Sequence, residues 1–263
     1  MHMRATAIAT VAVASGALAL SALAVPAVAA DDVPDPALVI EKVVVNEGRP
    51  IVVGVKTDKI AMLAVTASHP SGIQGMIGSL RLAKKTGPGY KIIGSSEEEA
   101  PCYRASATTS TCELPLGIYP SNLRNEDATR WTAGAWVVSN KNTWNECDQC
   151  LTAVQLQRLG KLTVSAPPKP VKKGTPLTVT GKLTRANWDT KKYAGYAGQP
   201  VKLQFRKKGG AKYMTVKTVK GSGTGALKTT TPARTEGHWR WSFAGTETTS
   251  AVNTPGTLVK IKK

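Results

Sequence analysis

From residue 161 onward, apolar and polar positions alternate along short runs. Leu177, Val179 and Leu183 alternate with Thr178, Thr180 and Lys182, and Val201, Leu203 and Phe205 alternate with Lys202, Gln204 and Arg206. Met214 and Val216 alternate with Thr215 and Lys217, Trp239, Trp241 and Phe243 with Arg240 and Ser242, and Val259 and Ile261 with Lys260 and Lys262. A period of two sends successive side chains to opposite faces, so each run predicts a strand with one apolar face. Lys208-Gly209-Gly210, Gly221-Ser222-Gly223, Glu236-Gly237 and Pro255-Gly256 separate the runs as turns. Leu162-Thr163-Val164 reads as a first strand, followed by a stiff Pro167-Pro168-Lys169-Pro170 segment. About seven short strands at this spacing predict an immunoglobulin-like antiparallel β-sandwich.

The preceding half reads in the same way with less regularity. Strands are expected over residues 38–46, 51–56, 60–67, 73–82, 110–116, 133–139 and 151–159, with turns at Ser68–Gly72 and Lys85–Gly89. Trp131, Ala133, Ala135 and Val137 face one way and Trp136 and Val138 the other, as in a strand covered on both sides. A helix within residues 115–130 stays compatible with the pattern. The boundary between halves falls near Leu159-Gly160-Lys161. The expected fold class is therefore all-β, with two sandwich domains over residues 31–160 and 161–263.

The first 30 residues fit neither domain. A positively charged start at Arg4, an apolar run from Ala5 to Val25, and Ala27-Val28-Ala29-Ala30 read as a cleaved export signal. No cysteine follows the cleavage region and the last residues, Val259 to Lys263, carry no apolar tail. A released, extracellular product is expected, without a membrane span and with cell-wall association as one outcome. Apolar residues at 41% and charged residues at 20% of the 263 exclude a disordered chain.

Export changes the meaning of the four cysteines, Cys102, Cys112, Cys147 and Cys150. An even count in an oxidising compartment argues for two disulfides, for which three pairings exist. Cys102–Cys112 with Cys147–Cys150 is the favoured one. The spacing of the first pair fits a zinc ribbon poorly. Cys147-Asp148-Gln149-Cys150 is expected in a polar loop, unlike a redox motif at a strand-to-helix junction.

Charge is divided unevenly. Residues 31–160 hold 13 Lys and Arg against 14 Asp and Glu, a net of −1. Residues 161–263 hold 21 Lys and Arg against Asp189, Glu236 and Glu247, a net of +18. In immunoglobulin order the strands at 199–206, 211–219, 238–243 and 257–262 share one sheet. Its outward face would carry Lys202, Arg206, Lys217, Arg240, Lys260 and Lys262, with Lys207, Lys208 and Lys212 at the adjoining turn. Such a face attracts polyanions by counterion release: an anionic cell-wall polymer, an acidic polysaccharide or extracellular DNA. The competing reading is a solubilising surface with lysine-protected edges. Trp188, Tyr193 and Tyr196 in the loop after residue 187 are candidate stacking residues, or else packing residues at the end of the sandwich.

Catalytic patterns are missing from the sequence. It has no Gly-x-Ser-x-Gly, no His-Glu-x-x-His and no phosphate loop, and Gly221–Gly225 reads as a hairpin turn. His69 and His238 have no evident nucleophile or carboxylate beside them. No enzyme is expected, and no cofactor. Asp31, Asp32, Asp35, Glu97–Glu99, Glu126 and Asp127 lack calcium-loop spacing and read as solvated loop charges.

Leu177–Leu183, Tyr193–Tyr196, Val201–Lys208 and Gly237–Thr246 together resemble actinomycete secreted proteins with tandem immunoglobulin-like domains. The resemblance covers most of 161–263 and extends more loosely to Val52-Val53-Gly54 and Pro70–Ile73. Members often carry a calcium-binding label, so the resemblance implies calcium as an alternative ligand, yet it brings no ligand motif to transfer. Similar proteins tend to have Asp before the Pro-Ser-Gly turn, where this chain has His69, a departure that weakens calcium further.

Overall fold

Strands with one apolar face must bury it against a second sheet, and both halves of the chain do so. A computed structural model describes residues 33–83, 90–167 and 170–262. The expected export signal, the turn at Lys85–Gly89 and Pro168-Lys169 lie outside the described residues.

The first half contains β1 (Val39–Val45), β2 (Ile51–Val53), β3 (Lys59–Ser68), β4 (Ile73–Ala83), β5 (Tyr90–Ala100), β6 (Cys102–Arg104), β7 (Thr109–Ile118), β8 (Arg130–Ser139) and β9 (Trp144–Arg158). One sheet has the order β1-β3-β7-β6 and the other β2-β9-β8-β4-β5. Leu63, Met76, Leu80, Leu116, Trp131 and Leu156 are buried between them.

The second half contains β10 (Gly160–Ser165), β11 (Val171–Lys172), β12 (Pro176–Asn187), β13 (Lys192–Gly195), β14 (Pro200–Lys207), β15 (Met214–Lys220), β16 (Ala226–Pro232), β17 (Gly237–Phe243), β18 (Val252–Asn253), β19 (Thr257–Val259) and β20 (Ile261–Lys262). One sheet centres on β12, which pairs with β10, β13 and β16; the other runs β15-β14-β17, with β18 and β19 also on β17. Leu177, Val179, Leu203, Trp239, Trp241 and Phe243 fill the space between. In each half a short early strand pairs in parallel with the last one, β2 with β9 and β11 with β20. Both halves are immunoglobulin-like sandwiches, as the alternation predicts.

Several elements differ from expectation. Strand β5 occupies a segment whose Ser and Glu run reads as loop charge. Residues 115–130 hold two 3-10 turns, Pro120–Asn122 and Asn125–Asp127, and no α-helix. Strand β16 buries Leu227 and Thr229, and a threonine in an inward position hides the apolar period. The Gly221–Gly225 turn does not close a hairpin, because β15 and β16 belong to different sheets.

Leu159 alone separates β9 from β10, so no flexible linker lies there. Gly160 is required at this crossing: a Cβ would stand 2.8 Å from the Ser250 carbonyl oxygen. Residues 187–191 reach back across the junction. Trp188 is fully buried among the apolar residues of the first half and donates its indole N–H to the Gly54 carbonyl at 2.9 Å. Asn125 bonds Asn187 and Asp189, and Lys191 donates to the carbonyls of Pro120, Ser121 and Leu123. Arg158 is buried at the same crossing and donates from Nε to the Ala186 carbonyl. Burial, reinforced by the charge of Arg185, pushes its guanidinium down to about 10, which leaves it charged at neutral pH. Pro34–Lys263 accordingly form one compact unit.

Candidate functional site

The outward face of β14 and β17 is where the sequence places the cations. Val201, Leu203, Trp239 and Trp241 point into the core, so Lys202, Gln204, Arg206, His238 and Arg240 point away from it. Gln204 lies opposite Arg240, and Arg206 opposite His238. Arg206 and Arg240 are thus diagonal neighbours, roughly 7–8 Å apart at the backbone.

Tyr213, in the turn between β14 and β15, lies over both. Its ring centroid is 3.8 Å from Cζ of Arg240 and 5.0 Å from Cζ of Arg206. The ring fits because residue 256 is glycine, where a Cβ would come within 2.1 Å of the Tyr213 hydroxyl oxygen. Arg240 donates from Nε to Oε1 of Gln204 at 2.8 Å, whereas Nε of Arg206 is buried with no hydrogen-bond partner. Among the described residues no carboxylate is bonded to either guanidinium. Tyr213 leaves only a weak signal in the sequence, an aromatic residue between two cation-bearing strands.

The remaining expected cations are spread more widely. Lys202, Lys207, Lys208 and Lys212 are exposed along β14 and its turn, and Lys208 is paired with Glu236 at 3.0 Å. Lys217 does not share the outward face. An extra residue in β15 shifts the register between Leu203 and Gln204, so Lys217 stands opposite inward-facing Leu203. The expected strand 257–262 is broken at Lys260, and Lys262 pairs beside Lys172 in the separate β11-β20 ladder. The acidic side chains offer little compensation: Asp189 is bonded to Asn125, Glu236 holds Lys208, and Glu247 is exposed.

The aromatic candidates serve packing. Trp188 is sealed in the junction and presents no face to a ligand. Tyr193 packs against the first core with Lys161 Nζ 3.8 Å from its ring centroid. Tyr196 packs edge-on to Phe243, with Arg185 Cζ 3.9 Å from its ring centroid and its hydroxyl bonded to Thr246.

Cys102 is bonded to Cys112 and Cys147 to Cys150, the favoured pairing. Cys102 and Cys112 face each other across β6 and β7. The second pair lies inside β9 rather than in a loop, where Cys147 and Cys150 oppose Ala135 and Ala133 and bracket a bulge.

His69 does have partners, contrary to expectation. Ser71 Oγ lies 2.7 Å from Nδ1, and Oδ2 of Asp35 lies 3.2 Å from Nε2. The backbone N–H of Ser71 also donates to Nδ1 at 3.0 Å, and Gly72 N–H donates to the His69 carbonyl. An accepting Nδ1 carries no proton, so Nε2 bears it and donates to Asp35. The Nδ1 lone pair is engaged by the turn's own amide, and His69 closes the turn as an Asx residue would. The hydroxyl of Thr143 foremost, then the Ala37 amide and His69, holds the Asp35 carboxyl below its ordinary value.

A cleft of about 470 Å³ opens between the sheets of the second half, lined by Phe205, Val216, Thr231, Pro232 and Trp239. Among the described residues no three or more His, Cys, Asp or Glu side chains are grouped to hold a metal ion. No described helix is long and apolar enough to cross a membrane.

No family model and no curated protein matches the chain. Solved structures similar to it include a marsupial T cell receptor, at 12% identity and a TM-score of 0.39 over 80% of this chain and 70% of that one. The D00-D0 domain of intimin is similar at 14% identity and a TM-score of 0.30, covering 83% of this chain and 99% of that one. The fibronectin(III)-like modules of Clostridium thermocellum CbhA are similar at 11% identity and a TM-score of 0.33, covering 84% and 94%.

Proposed function

We propose that this chain is an exported, non-catalytic protein that attaches to anionic polymers of the cell envelope or extracellular matrix through residues 161–263. Residues 31–160, nearly neutral and crosslinked by two disulfides, act as a spacer or partner-recognition module. The observation that carries the reading is uncompensated charge. Against 21 cations stand three carboxylates, two of them already engaged by Asn125 and Lys208. Solubility requires far less: a net charge of about 2–8 serves a small domain.

Counterion release gives this reading a measurable signature. Each phosphate neutralised contributes roughly −0.7 to −0.9 to the slope of log K against log salt. Retention of the whole mature chain on anionic cell-wall polymer is expected to fall steeply and linearly on that plot. A flat salt response, or no retention at low salt, would refute the reading. The whole chain is the proper material, because Trp188 would lose its surroundings in an isolated second half.

A further inference from the structure

Like charges brought close on one face of a sheet repel. Arg206 and Arg240 sit diagonally on β14 and β17 with no bonded carboxylate among the described residues, and Nε of Arg206 is buried without an acceptor. An orphaned buried donor is destabilising, and a pair of unneutralised guanidiniums adds to that. Tyr213 offsets part of the cost through its ring face. The terminal nitrogens of the two forks, which no described carboxylate engages, are left for an oxyanion placed between them.

We infer that Arg206 and Arg240 form a two-guanidinium clamp for the phosphodiester groups of a polyol-phosphate polymer. The inference rests on the attachment reading above and names its anchoring site. A guanidinium presents planar paired donors, which match phosphate oxygens two at a time, whereas lysine acts as a point charge. Both non-bridging oxygens of a phosphodiester carry the charge, so one group can be shared by two forks arriving from different strands. Tyr213 walls the clamp, and Gln204 fixes Arg240 through its Nε, leaving that residue's terminal nitrogens to bind. Exposed Lys202 continues the same outward face of β14 and supplies the next cation along a repeating chain. Nucleic acid fits less well. Tyr213 is taken up by the arginines, and Trp188, Tyr193 and Tyr196 are engaged in packing, so none of these four offers bases a free platform beside the clamp.

The test uses the whole mature chain with its disulfides intact, immobilised poly(glycerol phosphate), hyaluronate and double-stranded DNA, and the charge-conserving variant Arg206→Lys/Arg240→Lys. Affinity of the variant for poly(glycerol phosphate) is expected to drop tenfold or more, with hyaluronate binding and melting temperature unchanged. Equal affinity of variant and parent would overturn the clamp while leaving charge-driven attachment standing. Failure of the parent to bind any of the three polymers would overturn both. Tighter binding of the parent to DNA than to poly(glycerol phosphate) would overturn the choice of polymer. A second readout avoids substitution altogether: the terminal guanidinium Nη–H resonances of Arg206 and Arg240 should shift on titration with a short glycerol-phosphate oligomer. Resonances that stay in place would overturn the clamp as well.

Discussion

Trp188, which follows β12 of the second sandwich, is fully buried in the core of the first and donates its indole N–H to the carbonyl of Gly54. With Asn125 bonded to Asp189 and Lys191 to three carbonyls, this contact ties the two sandwiches into one unit. The proposed binding face on one half is therefore held in a fixed relation to the other half.

Replacing Trp188 with alanine should lower stability by about 3–5 kcal/mol, the usual cost of deleting a buried indole. Calorimetry of the parent should show one transition, and Trp188→Ala should split it in two. An unchanged single transition would show that the tryptophan does not couple the halves.

The disulfides should contribute unequally. Cys102 and Cys112 are separated by ten residues and Cys147 and Cys150 by three. Loop-closure entropy assigns about 3 kcal/mol to the first crosslink and about 2 to the second. Urea unfolding of Cys102→Ser/Cys112→Ser and Cys147→Ser/Cys150→Ser measures the difference; a larger loss for the second pair would contradict this ranking.

Acid should loosen the segment before β1. The folded value of Asp35 lies below its ordinary 3.8, so its contribution is fully present above that value and is lost as pH falls through the folded one. Asp35→Asn should remove this acid-sensitive portion, flattening melting temperature against pH below about 4 relative to the parent. Superimposable curves would show that the carboxylate of Asp35 does not hold the segment.

Strands whose alternation is unbroken, such as β12, β14 and β17, were legible in the sequence, and so was the division of charge. Alternation failed where a bulge intervened: the extra residue in β15 sets exposed Lys217 opposite Leu203 instead of on the outward face. Strand β5 escaped notice because its polar run mimics a loop. Contacts between distant residues left no local trace. Trp188 and Gly54 are far apart in the chain, and so are Asp35 and His69, which is why the sequence leaves Trp188 open between stacking and packing and shows His69 without a carboxylate partner. Ser71, two residues from His69, was the one partner the sequence did display.

The central claim is that the uncompensated charge of the second half holds the protein to its polymer through one face. Its most direct test is retention of the whole mature chain on anionic cell-wall polymer at physiological salt. Lys202→Glu/Arg206→Glu/Arg240→Glu is compared with Lys173→Glu/Lys182→Glu/Lys228→Glu, which makes the same change of charge at exposed sites off that face. The face variant should lose retention while the other keeps most of it. Equal loss in both, or undiminished retention of the face variant, would contradict the account.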